Sequence, residues 1–220
     1  MYLAYGRRPG ATNKGLMAAK SSEKHHVVCV FRRPIFYSDT LVSLRAGPLV
    51  HVEIMPIEAD NPHNSISYTS YIGCPFSMSI SVKRTYDNTS CVAVALEVSQ
   101  EEKERLTSYL HDLCEANIPY NYVDTAMMVL PTSVHGCLSD DVLSEDPMHL
   151  TALFCSQAVV LALRNGLNEQ RDLYEVLAAV NSRVVLPYTL FHLLRPYGRT
   201  VCCHALRTGT LVPLPLGANI

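Results

Sequence analysis

The chain has 220 residues, 48% of them hydrophobic, and a formal net charge of −2. That is enough apolar material for one substantial core, so a single compact domain is expected. The near-neutral balance gives no strong pull toward nucleic acid, and no apolar run approaches the roughly 20 residues of a membrane span. Eight cysteines are present without a mark of secretion, so they are read as mostly reduced and buried rather than as a disulfide framework.

The stretch up to about Lys24 is rich in Gly, Lys and Arg and has no periodicity; it reads as a loose tail, leaving 25–220 as the domain. Its basic residues Arg7, Arg8, Lys14 and Lys20 are not followed by an apolar h-region, so no signal peptide and an intracellular location are expected. His25 to Arg32 contains Val27-Val-Cys-Val-Phe31 and reads as a buried strand. Phe36 to Leu44 reads as extended and irregular. Pro48 then opens the strand Leu49-Val-His-Val-Glu-Ile-Met55, in which His51 and Glu53 share one face.

Glu58 to Asn64 is a turn by composition. Ser65 to Ile72, Ser77 to Lys83 and Cys91 to Val98 read as three more strands, with Tyr86-Asp-Asn-Thr89 as a hairpin between the last two. The set forms an antiparallel meander. Ser99 with Glu102 is a capping box that starts a helix with the apolar stripe Leu106, Tyr109, Leu110, Leu113, ended by Pro119. A short helix is expected at Tyr122 to Val129, then a long polar loop from Pro131 to Pro147.

The next helix is expected over Leu150-Thr-Ala-Leu-Phe-Cys-Ser-Gln-Ala-Val-Val-Leu-Ala-Leu-Arg164, apolar nearly all round and therefore central; Asn165-Gly166 is its C-terminal glycine signal. Asn168 is expected to cap a further helix with Leu173, Val176, Leu177 and Val180 inward. A proline-led helix follows at Pro187 to Leu194, and edge strands at Thr200 to Leu206 and Thr210 to Pro213. The fold class is therefore α+β, an antiparallel sheet packed on a central helix that carries a cysteine.

Cys155 is the candidate nucleophile. A helix N-terminus and a neighbouring imidazolium stabilise a thiolate, and the helix's orphan N–H groups can hold an oxyanion. The bland alternative is a small packing residue on an apolar helix. His51 is the candidate base. Glu53 is the first choice to orient it; His63, or Asn64, Ser65 or Ser67 on the way to the next strand, remain alternatives. Tyr120, Asn121 and Gln157 are candidate substrate contacts, with turn chemistry after Pro119 as the plain reading of the first two. Cys202-Cys-His204 and His135 with Cys137 lack zinc spacing, and no phosphate-binding glycine loop occurs, so no metal or cofactor is expected.

The order His51-Val-Glu-Ile54, meander, helix, Pro119-Tyr-Asn-Tyr122, Phe154-Cys-Ser-Gln157, Pro187-Tyr-Thr-Leu-Phe191 resembles the circularly permuted papain-like proteins of the NlpC/P60 superfamily, including YiiX/YaeF-type proteins and relatives in large DNA viruses. The resemblance covers about residues 25 to 195. It implies a thiol hydrolase acting on an amide, peptide or ester through a covalent acyl-enzyme, with Cys155 as nucleophile and His51 as base. It also implies two alternatives: a lipid acyltransferase or phospholipase of the same chemistry, or a binding or virion structural protein that keeps the fold without activity. A viral member would act in the host cytoplasm or the virion.

Overall fold

The computed structural model describes residues 24–35, 43–44, 47–57, 65–69, 79–82, 90–121, 146–147, 150–208 and 211–214. Expectations for the N-terminal tail, the 58–64 turn, the 122–129 helix and nearly all of the 131–147 loop lie outside those residues. The chain is mixed α and β. Among the described residues six strands form one sheet: β1 (His25–Arg32), β2 (His51–Pro56), β3 (Ile66–Thr69), β4 (Ser79–Val82), β5 (Cys91–Val98) and β6 (Arg199–Val201), in the order β4-β3-β2-β1-β5-β6. Neighbouring strands of this sheet are antiparallel.

The meander holds only from β1 to β4. β5 pairs along its whole length with β1, from His25↔Val98 to Arg32↔Cys91, not with β4. The expected hairpin at 86–89 is therefore overturned. Alternation of antiparallel neighbours makes β4 and β5 run in the same direction, and a tight turn cannot join co-directional strands. At the far edge, β6 shares only Thr200 and Val201 with the expected 200–206 strand. Cys203–Thr208 is a 3-10 turn instead, and Pro213 makes an isolated bridge to Val201.

The pleat sorts side chains into two cores. Val27, Cys29, Phe31, Val52, Ile54, Tyr68, Val92, Val94 and Leu96 face the helices. Val28, Val30, Met55, Ala93 and Ala95 face the other way, against Cys203 and Leu206 of the C-terminal segment. Helix α1 (Gln100–Glu115) starts with the full capping box: Ser99 Oγ accepts from the Glu102 N–H at 3.1 Å, and Glu102 accepts from the Ser99 N–H at 2.8 Å. Its stripe Leu106, Tyr109, Leu110, Leu113 is buried. The helix ends before Pro119 through Asn117, whose φ of 50° is left-handed.

Helix α2 (Cys155–Gly166) starts five residues later than the expected Leu150, because Leu153 is held extended by its bridge to Tyr120; it lies between α1 and β2 and is buried over its first nine residues. Gly166 plays a different part from the one expected. It is the helix's last residue and has no positive φ; a Cβ there would sit 2.5 Å from the Leu106 Cβ. The glycine lets α1 approach, rather than supplying a left-handed cap. Helix α3 (Asp172–Ala178) is capped by Arg171, not Asn168; Asn168 Oδ1 instead accepts from the Gln170 N–H in the turn before it. Leu173 and Leu177 are buried, whereas Val176 and Val180 are only half-buried. Helix α4 (Pro187–Leu194) has its proline at the start as expected and packs Phe191 edge-on to Phe31.

The entry to β2 is set by Gly47. Its φ is +88°, and a Cβ would strike the Tyr188 ring at 2.8 Å. Ser43 and Leu44, within the segment expected to be extended, are helical.

Candidate active site

Three pieces of chain converge where α2 begins. Pro119–Asn121 runs parallel beside Leu153: Leu153 N–H donates to the Pro119 carbonyl at 3.0 Å, and Asn121 N–H to the Leu153 carbonyl at 2.8 Å. This short ladder fixes the chain immediately before Cys155. Phe154 occupies the N-cap position without a side-chain hydrogen bond and packs with Tyr120 and Leu186. Tyr120 is thus a buried packing residue at this junction, and Asn121 belongs to the ladder through its backbone.

Cys155 is 5% exposed. Its sulfur lies within hydrogen-bond reach of the backbone N–H groups of Val52, Ser156 and Cys155 itself. Burial raises the thiol to about 11, and these N–H groups only partly offset it. The preformed thiolate expected from the helix terminus is therefore not favoured: desolvation outweighs the dipole and the local donors. The Ser156 hydroxyl lies near the sulfur as well, but it donates to the Val185 carbonyl at 2.5 Å. Gln157 is 1% exposed, and its Oε1 has no hydrogen-bond partner.

The contact with Val52 places the thiol against the peptide that joins Val52 to His51. His51 is the first residue of β2, and among the described residues its imidazole approaches two side chains. Nε2 is 2.7 Å from Thr69 Oγ1 and 3.8 Å from Glu53 Oε1. Glu53 is fully buried. Ser67 Oγ donates to its Oε2 at 2.8 Å, and the Arg32 guanidinium lies 3.7 Å from its Oε1. The shared face of His51 and Glu53, read from alternation, is thus what the structure has. Ser67, one of the alternatives, is present in the cluster but serves Glu53. His63 and Asn64 lie outside the described residues.

Thr69 and Arg32 were not anticipated. Both become neighbours through register: Thr69 stands opposite Glu53 on β3, and Arg32 opposite His51 on β1. The pleat also separates the groups. Val52 and Ile54 face α2 with Cys155, whereas His51, Glu53 and Met55 alternate onto the other face, so the pleat itself does not turn the imidazole toward the thiol.

Among the described residues no group of three or more His, Cys, Asp or Glu side chains is placed to hold a metal, and no helix is long and apolar enough to cross a membrane. An open depression of about 480 Å³ is lined by Arg105, Arg164, Asn165 and Tyr174. It lies at the C-terminal end of α2, roughly 15 Å along the helix from Cys155 at about 1.5 Å per residue, too far to serve the thiol. Searches of protein-family models, curated proteins and solved structures return no match to this chain.

Proposed function

We propose that the chain is a thiol hydrolase or acyltransferase on a circularly permuted papain-like fold, with Cys155 as nucleophile and His51 as base. The observations behind this reading are that α2 packs on β2, with Cys155 at the start of the helix and His51 at the start of the strand, and that Thr69 holds the His51 ring. A thiol raised to about 11 is protonated at neutral pH, so the base has to remove its proton during attack rather than beforehand. His51, at the end of its strand, takes the thiol proton as sulfur bonds to the substrate carbonyl carbon. The N–H groups at the start of α2 stabilise the oxyanion. The leaving group departs with the proton from His51, and the acyl group stays on sulfur. Water, deprotonated by His51, then releases the acid and restores the thiol; a lipid or amine acceptor in place of water gives acyl transfer.

The test uses a p-nitrophenyl ester as acyl donor and intact-mass spectrometry. The expected result is one acyl adduct, on Cys155, absent in Cys155→Ala and formed at least about a hundredfold more slowly in His51→Ala. Acylation that persists in Cys155→Ala would overturn the assignment.

The burial of Cys155 favours a second reading, a binding or structural protein in which the cysteine is a packing residue. In that case iodoacetamide labels Cys155 in the folded protein no faster than the buried Cys29, and no ester acylates it.

A further inference from the structure

Glu53 is too far from the imidazole to hold it by a hydrogen bond: 3.8 Å lies beyond the usual N–H···O range, whereas Thr69 at 2.7 Å lies within it. Glu53 is also fixed where it is. It is fully buried between Ser67 at 2.8 Å and Arg32 at 3.7 Å, so moving toward His51 would give up the Ser67 bond. We infer that orientation of His51 is divided between two side chains: Thr69 is the positioning residue that holds the ring through Nε2, and Glu53 is the fixed negative charge behind it. This rests on the reading of His51 as the base.

The chemistry explains why a threonine suits the position. A base alternates between imidazole and imidazolium. With Thr69 on Nε2, the nitrogen that gains and loses the proton is Nδ1, and Nε2 keeps its hydrogen in both imidazole and imidazolium. The Thr69 hydroxyl accepts from Nε2–H in both states, and the nearby Glu53 charge favours the tautomer with that hydrogen on Nε2. Its β-branched side chain is stiff at χ1, and cross-strand pairing with Glu53 fixes where the hydroxyl points. Among the described residues, the charged groups beside His51 are Arg32, opposite it on β1, and Glu53 from its own strand.

The experiment is a pH titration of ¹⁵N-histidine-labelled protein by NMR, which needs no substrate, run beside the acylation assay. Wild-type His51 is expected to hold a single neutral tautomer. Thr69→Val, which keeps shape and loses the hydroxyl, is expected to mix the tautomers and to slow acylation about tenfold or more. Thr69→Ser is expected to restore both. Glu53→Gln is expected to keep the tautomer but lower the His51 pKa by about one unit, the direction expected when a nearby negative charge is removed. Mixed tautomers in wild type, an unchanged ring in Thr69→Val, or no restoration by Thr69→Ser overturns the inference. If the tautomer result holds while wild type fails to acylate, Thr69 still orients the ring and it is the thiol-hydrolase reading that falls.

Discussion

The N-termini of α1 and α2 are built in opposite ways. At α1 the orphan donors and nearby charges are closed off. Ser99 and Glu102 cap one another, and Glu102 also accepts from the Asn168 N–H at 2.9 Å and from Arg171 at 3.0 Å. The result ties α1 to the loop between α2 and α3. At α2 the cap residue is the apolar Phe154, there is no acid in the first turn, and the donors near the start lie against a thiol. One terminus is optimised for stability. The other leaves its field to a reactive atom type and relies on packing of Phe154, Tyr120 and Leu186 to stay in place.

The contrast can be broken most severely through Phe154. If packing rather than capping holds the start of α2, Phe154→Ala should destabilise the fold by about 3–5 kcal/mol in urea unfolding, the range for losing a buried aromatic. A loss below about 1 kcal/mol would mean that α2 is anchored elsewhere. At α1 the corresponding change is Glu102→Ala. It strands the Asn168 N–H and the Arg171 guanidinium and should cost about 2–3 kcal/mol by the same measurement.

The two termini should also respond to opposite ends of the pH scale. Burial alone would raise the Glu102 carboxyl, but the Ser99 and Asn168 N–H groups and Arg171 outweigh it and lower its pKa. Its contribution is present above the unfolded value of 4.5 and is lost as pH falls through the lower folded value. Burial raises Cys155 from 9.0 to about 11, so its contribution is complete below pH 9 and is lost as pH rises toward 11. Cys29, raised to about 12, and Cys114, raised to about 11, add to the same alkaline limb. The smallest expected effect is therefore a difference: between pH 8 and 10.5, Cys155→Ala should lose about 2 kcal/mol less stability than wild type. Parallel curves for the two proteins would show that the thiol is better solvated than its burial implies.

What could be read in advance was local. The β1 and β5 boundaries, the Ser99–Glu102 box and the proline start of α4 depend on residues within one or two turns of each other, and they stand as expected. The sharing of a face by His51 and Glu53 likewise needs only period two. The failures were non-local. A Tyr-Asp-Asn-Thr turn looks like a hairpin whether or not its flanking strands are neighbours. Gly166 after an asparagine looks like a cap when its actual constraint comes from Leu106, sixty residues earlier. Thr69 could be recognised as the partner of His51 only once the β2–β3 register was known. The raised thiol depends on burial that no motif encodes.

The place of β5 between β1 and β6 bears on how the chain acquires its shape. β1 makes one set of pairs with β2, which follows within about 25 residues, and another with β5, some 60 residues further on. During synthesis the first four strands leave the ribosome with one long, apolar edge of β1 lacking its neighbour. Such an edge favours adhesion between nascent chains. High contact order of this kind also slows folding. The strand that covers the β1 edge is thus also one that arrives only after four others have been made.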